Sequence, residues 1–489
     1  MTFLRFLPRP TPLLVLLAAL MAAPGMVAAQ ARSLQESIEK AVLTHPEVKA
    51  RFHDFQSTLH GQAVTRAGLL PEVTVQGWTG REWRAGTADQ RAADWSRHGY
   101  IVELRQLLFD GFSTLNTVKQ EGFEKLSAYY ELLATVDSLA MEAAYAHLDV
   151  VRYRRMEGLA RDNFDVHQTI LEQLRERQAS GVGRGVDLEQ ANGRLALAQT
   201  NLMTETGNLN DVSQRYRRLM GEAPAAILLD APDVAHLLPE APTDFVASVR
   251  RNPSLLSKQA LVQAAGLGVS AARGRHSPTL ELRASTGKDR AQPGTPYRDA
   301  QSSNVQLVLS YNLFRGGADQ ARIRQTKAQS YAAVDVRDYT CRNVQQELAV
   351  AWNNIMKLRQ QIPYLREHEL ATSKVRTAYA QQFQIGERSL LDLLDTENEL
   401  FDSRRALVNA EFDLKKEELR WLSLSHRILE AVALAQPFED SPEEARSLGL
   451  PDELLQICTN EAPDTSNLKP VVVQYQDDLL PPRIHPLNG

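Results

Sequence analysis

The sequence predicts a mainly α-helical, internally duplicated chain in which each copy inserts one β-hairpin whose length and alternation suit a membrane barrel. Three observations support this fold class. Matching motifs recur about 205 positions apart, alternating runs of about ten residues come in pairs, and each pair leads into roughly seventy residues of helical periodicity.

Matched positions define the duplication. His45-Pro46 matches Asn252-Pro253, Pro71 matches Pro278 and Gly80 matches Gly287, all 207 positions apart. Farther on, Phe109 and Gly111 match Phe314 and Gly316, Gly181 matches Gly386 and Asp187 matches Asp392, now 205 apart. Two residues are therefore missing from the second copy between Gly287 and Phe314, and such a length change belongs in a turn. The resulting division is 1–29, 30–220, 221–241, 242–435 and 436–489.

Segment 1–29 has the order of a secretory signal. Arg5 and Arg9 precede an apolar run from Leu13 to Ala23, Pro24-Gly25 breaks it, and small residues follow, so cleavage after Ala29 or Ala31 fits. An uncleaved anchor is the alternative, but the break leaves fewer than the ~17 residues a span needs. No cysteine follows the signal, which leaves no site for a lipid on the mature amino terminus.

Each copy then repeats one order of elements. A helix runs from about Leu34 to Ala67, or Pro242 to Ala272, entered through the His-Pro or Asn-Pro step. Two alternating runs follow: Val73 and Val75 with Tyr100, Val102 and Leu104, and Leu280, Leu282 and Ala284 with Val305, Leu307, Leu309, Tyr311 and Leu313. Such a hairpin suits a lipid-facing barrel and equally a half-buried soluble sheet. Trp78, Trp83 and Trp95 lie on and around the first hairpin, as an interfacial aromatic belt would require.

Turns at Phe109-Asp110-Gly111 and Phe314-Arg315-Gly316 lead into the rods, about Phe112 to Ser180 and Gly317 to Gln384. Pro363 is expected to kink or unwind the second. Glycines then turn the chain, Gly181, Gly183 and Gly185 in one copy and Gly386 in the other. Returning helices follow, from about Asp187 to Met220 and from Leu390 to Leu434. Their narrow apolar stripes with charged flanks are those of coiled-coil rods.

Composition excludes several function classes. The formal charge of −5 excludes a nucleic-acid binder working by overall positive charge. A mean hydropathy of −0.33 excludes a polytopic helical membrane protein. Two cysteines, Cys341 and Cys458, exclude a disulfide scaffold and a four-cysteine zinc site, and the sequence does not show whether they pair. There is no HExxH, Walker lysine or GxSxG motif, so no catalytic, cofactor or metal residues are assigned. The segment beyond Gln436 holds ten Asp or Glu against three Lys or Arg, so the acidity sits in an appendage.

These features together, with the LFDGF and LFRGG turns and the run FQIGERSLLDLLDTENELFDSRRALVNAEFDL, resemble the TolC family of outer membrane efflux and secretion ducts. The similarity runs from about Leu34 to Leu434. It implies a homotrimer in which four strands per subunit close a twelve-stranded outer-membrane barrel that continues into a long periplasmic α-helical coiled-coil tunnel. It also implies a passive, non-enzymatic exit duct for type I protein secretion or multidrug efflux. Its partners would be a periplasmic adaptor protein and an inner-membrane ABC or RND-type pump, with outer membrane lipid around the barrel and no nucleic acid. A pore-less periplasmic coiled coil, structural or adaptor, is the alternative.

The resemblance also implies a gate at the periplasmic tip. Asp392 and Asp395, three apart on one helix face, would form acidic rings under threefold symmetry. Arg388 matches an arginine that latches the closed tip, with Asp187 its acidic partner. Phe383 departs from the family pattern, which often has a tyrosine there, so the latch would lean more on Arg388 and Asp187.

Overall fold

A computed structural model of the chain describes residues 31–86, 92–181, 184–238, 243–290, 299–438, 440–451 and 463–470. The expected signal, Gly183 and Cys458 lie outside them. The first helix divides into α1 (Leu34–Thr44) and α2 (Pro46–Ala67), where a single helix was expected. Pro46 disfavours helical backbone at the residue before it. His45 sits at φ −66°, ψ 133°, and its ring accepts from the Glu47 amide to cap α2. The second copy breaks identically: α5 (Thr243–Arg251) ends before Asn252, whose side chain caps α6 (Pro253–Gly274).

Four strands, β1 (Glu72–Arg84), β2 (Ala93–Phe109), β3 (Thr279–Arg290) and β4 (Asp299–Ser310), form one antiparallel sheet in chain order. The length change between copies falls between β3 and β4, as a turn requires. Cross-strand register fixes the faces. Val73, Leu104, Ala284 and Val305 share one row, Leu282 and Leu307 the next, so one face carries an apolar band. The opposite face carries Thr74, Glu103, Ser285 and Asn304, with Arg105 and Arg283 both clasping Glu281. β1 and β4 are free edges.

Two expectations fail here. β4 ends at Ser310, opposite the first residue of β3, so Tyr311 and Leu313 run on exposed without a ladder partner. Nor do the tryptophans form one belt. Trp83 is on the apolar-band side and exposed, but Trp78 lies across Gly99 on the polar face, where Trp95 also sits, buried beside Arg84. Register separates them: odd positions of β1 share a face with even positions of β2, so Trp83 and Trp95 fall on opposite faces.

The rods are α3 (Ser113–Ala179), α4 (Gly185–Met220), α7 (Ala318–Gln384) and α8 (Leu390–Leu424). α3 and α7 are 67 residues each, about 100 Å at 1.5 Å per residue. α7 stays helical through Pro363, so of the expected kink or unwinding the unwinding does not occur: Ile362 is buried, but Pro363 lies on the exposed side, where a freed carbonyl can be hydrated. α8 stops ten residues before the expected Leu434. His426 turns left-handed (φ 58°) so that the short α9 (Ile428–Ala431) folds back and buries Ile428 and Leu429. His426 Nδ1 meets buried Asp137 Oδ2 at 2.5 Å, and burial pushes that carboxyl above the usual range.

Near the sheet the helices pack in the order α2, α3, α6, α7, and in the distal half in the order α4, α3, α8, α7. The wall is one helix thick, and the two copies meet at a single seam, α3 against α6 and then α8. Its main apolar core centres on Trp421, in ring contact with Phe245 (5.5 Å) and Trp352 (5.6 Å). The segments outside the rods wrap this middle. Asp230 bonds Arg155 and Lys415, Phe438 stacks on Phe52 at 5.2 Å, and Glu444 pairs with Lys125 at 3.0 Å. Cys341 is buried in α7 and disulfide-bonded; the other cysteine of the chain is Cys458.

His147 is fully buried between Ser37 Oγ (2.9 Å) and the Leu229 carbonyl (2.7 Å), and burial holds its imidazole below the ordinary range. From the ordinary value near 6.5 down to that lowered value, the unfolded chain takes up a proton that the native chain refuses, so acidification costs stability. His147→Gln should therefore lose less melting temperature than the parent between about pH 7.5 and about pH 5.5. Equal losses in the two proteins would contradict it.

Candidate functional site

The distal ends of the rods hold most of the residues singled out in the sequence. α3 ends at Ala179 and Gly181 turns at φ +82°. α7 ends at Gln384 and Gly386 turns at φ +83°, with the Glu387 amide donating back to the Gln382 carbonyl at 2.9 Å. Only a residue without a side chain holds that backbone cheaply. Gly185 is not part of the turn; it is the first residue of α4.

An apolar cluster fastens this end. Ile170, Leu171 and Leu174 of α3 and Ala191 of α4 pack on Leu390, Leu393 and Leu394 of α8, with Phe383 at the margin. Ser389 caps α8 by accepting from the Asp392 amide at 3.2 Å, which orients the first turn of that helix. Asp392 and Asp395 consequently face away from the cluster, each side chain about half exposed (42% and 54%).

Neither aspartate is isolated. Asp395 pairs with Arg194 of α4, across the seam between copies, and Asp392 lies 3.9 Å from Arg388. At such exposure these pairs are each worth at most about 1 kcal/mol. Arg388 is held chiefly within its own copy: its guanidinium stacks 4.4 Å over Tyr379, and Nε donates to Gln382 at 2.9 Å. Asp187, in the first turn of α4, has no ion pair among the described residues, so the structure does not join it to Arg388 within one chain. Phe383 meets Arg177 of α3 ring-on at 5.0 Å, a cation–π contact where a hydroxyl was missing. Sequence reasoning missed Arg177, Arg194 and Tyr379. Arg194 and Asp395 are 201 positions apart, a pairing that only the packing of α4, α3 and α8 reveals.

At the other end, Gly111 (φ +68°) and Gly316 (φ +60°) occupy the sheet-to-rod turns. Phe109 rests edge-on against Phe112 at 5.6 Å, and Asp110 accepts from the Thr114 amide at 2.7 Å, closing the first turn of α3. Phe314 remains exposed, beside the free edge of β4. No described helix is long and apolar enough to cross a membrane.

Residues 37–222 and 247–423 match the family model described as outer membrane efflux protein, one match per copy. The chain belongs to that family. Among its relatives is the outer membrane efflux protein BepC of Brucella suis biovar 1, 24% identical over 436 residues, covering 88% of this chain and 94% of that protein. Another is the alkaline protease secretion protein AprF of Pseudomonas aeruginosa, 26% identical over 412 residues, with 78% and 82% covered. Among solved structures, the CmeC outer membrane channel of Campylobacter jejuni superimposes with a TM-score of 0.73 at 14% identity, over 89% of this chain and 90% of that one. This outer membrane efflux protein is thus an exit duct for secretion or efflux and not an enzyme. It sits in the outer membrane through its sheet and extends into the periplasm through its rods.

Proposed function

We propose that three copies form the duct, that it is gated at the periplasmic tip, and that its cargo is secreted protein. The free edges of β1 and β4 are the observation that carries the trimer: lipid cannot hydrogen-bond an open sheet edge, and four strands cannot close on themselves. Joining β4 of one copy to β1 of the next removes every edge and brings α7 against α4 of the neighbour. In that arrangement Asp187, which has no ion pair among the described residues of its own chain, would be offered Arg388 of the neighbouring chain. Asp392 and Asp395 then recur around the axis as acidic rings that favour cations.

A periplasmic adaptor and an inner-membrane ABC or RND-type pump complete the export path. Protein cargo is supported by the relative AprF, which is named for alkaline protease secretion. In detergent, the intact protein should have the mass of three copies; a stable monomer would defeat the barrel argument. D392A/D395A should relieve block by multivalent cations in single-channel recordings, with unchanged block rejecting the rings. A deletion strain should lose a secreted protein while keeping its drug tolerance; the reverse pattern would assign the duct to drug efflux.

A further inference from the structure

The seam between the two copies is not uniformly apolar. The main core reaches Val151 along α3, and the tip cluster begins again at Val166 and Ile170. The stretch between buries Met156 and Ala160 of α3 and Leu400 and Phe401 of α8, and it is also crossed by polar side chains. Arg152 donates to Asn409 (2.8 Å) and Asp413 (2.9 Å) of α8, and His167 Nε2–H donates to Asn398 Oδ1 at 3.3 Å. Arg405 reaches from α8 to Glu205 of α4 at 2.7 Å.

Within this layer His167 is 1% exposed, Asn163 6% and Glu205 2%. Four side-chain atoms there have no hydrogen-bond partner among the described residues: the acceptors Asn163 Oδ1 and His167 Nδ1, and the donors Asn398 Nδ2 and Arg405 Nε. The set is balanced, two donors against two acceptors. Asn163 and His167 are one turn apart on α3, and Asn398 and Arg405 lie two turns apart on α8. A modest displacement of α8 along or about α3 would exchange partners among them at little cost, whereas interdigitated leucines on either side resist sliding. Burial keeps the His167 imidazole neutral, and Arg194 nearby adds to this, so Nδ1 stays an acceptor.

We propose that this buried polar layer, Asn163 and His167 of α3 with Asn398 and Arg405 of α8, is the fulcrum on which the distal ends of the two copies shift when the duct opens. These are positioning residues, acting through α8 on Asp392 and Asp395. The proposal rests on the tip being a gate, and the test separates the two ideas.

Conductance across planar bilayers is measured for the parent, Arg388→Ala, H167L/N398L, and the three changes combined. Replacing both members of a buried polar pair by apolar groups should leave stability equal or higher. Arg388→Ala alone should raise resting conductance, and adding H167L/N398L should lower it again by at least about fivefold, because leucines would lock the seam. If Arg388→Ala opens the duct and the combined variant is equally open, the fulcrum is refuted while the gate stands. If Arg388→Ala changes nothing, the gate reading falls and takes the fulcrum with it. Should H167L/N398L fail to assemble, Asn163→Val removes one unpaired acceptor without touching the His167–Asn398 bond and should close the Arg388→Ala duct in the same direction. A layer with a merely structural role would move melting temperature without reversing the Arg388→Ala conductance.

Discussion

Gly111→Ala is expected to remove nearly all assembled duct from the outer membrane. Gly111 and Gly316 are counterparts in the duplication, and both have left-handed backbone, which costs a substituted residue about 1–2 kcal/mol. Their surroundings differ. A Cβ on Gly111 would lie within 3.0 Å of the Gly274 carbonyl oxygen and 2.5 Å from Ser277 Cβ. A Cβ on Gly274 would in turn lie 2.5 Å from the Gly111 carbonyl, so two backbones touch and no side-chain rotation relieves the clash. Within one chain, nothing among the described residues lies within 4 Å of a Cβ at Gly316, because that side is where the next chain joins in the proposed trimer. Gly111→Ala therefore adds steric strain between the root of α3 and the end of α6 to its backbone cost, for a total above roughly 3 kcal/mol. Fractionated membranes run without boiling read the assembled species directly. An undiminished amount of assembled duct would show that the contact does not matter.

Trp421→Ala should be the most costly single truncation in the helical body. The indole is 2% exposed and touches Phe245 at the start of the second copy and Trp352 on α7, so its removal opens a cavity where three helices converge. Losing a buried tryptophan costs about 3–5 kcal/mol. The melting temperature should fall by several degrees, and α9, which packs on the same core, should become protease-sensitive first. Replacement by phenylalanine should restore most of the stability. A variant melting with the parent would mean that the core closes over the gap.

The elements that the sequence makes legible are those written in local chemistry. Alternation gives the hairpins, the absence of proline gives α3 its length, and the glycines at 181 and 386 mark both distal turns. What is hidden depends on partners distant in the chain. His426 ends α8 early because buried Asp137 holds it, and nothing around His426 announces that partner. Pro363 looks like a breaker, and only its position on the exposed side of α7 explains why the helix survives. At the candidate site, the spacing of Asp392 and Asp395 is readable, but their pairing with Arg194 and Arg388 is not. The tryptophans mislead for a related reason. They cluster in sequence, yet strand parity sends Trp78 and Trp95 to one face and Trp83 to the other.

The single-layer wall with one internal seam per chain has a consequence for symmetry. If the two copies were identical, three chains would give six equivalent seams, and every special residue would appear six times. Here the counterpart of Asp395 is Gln190, of Asn398 is Gly193 and of His167 is Thr372. In the proposed trimer the seams therefore alternate, with the polar layer inside each chain and a different set of side chains between chains. Fusing the copies lets one seam be tuned to move and the next to hold, so a sixfold tube becomes a threefold one with two kinds of joint.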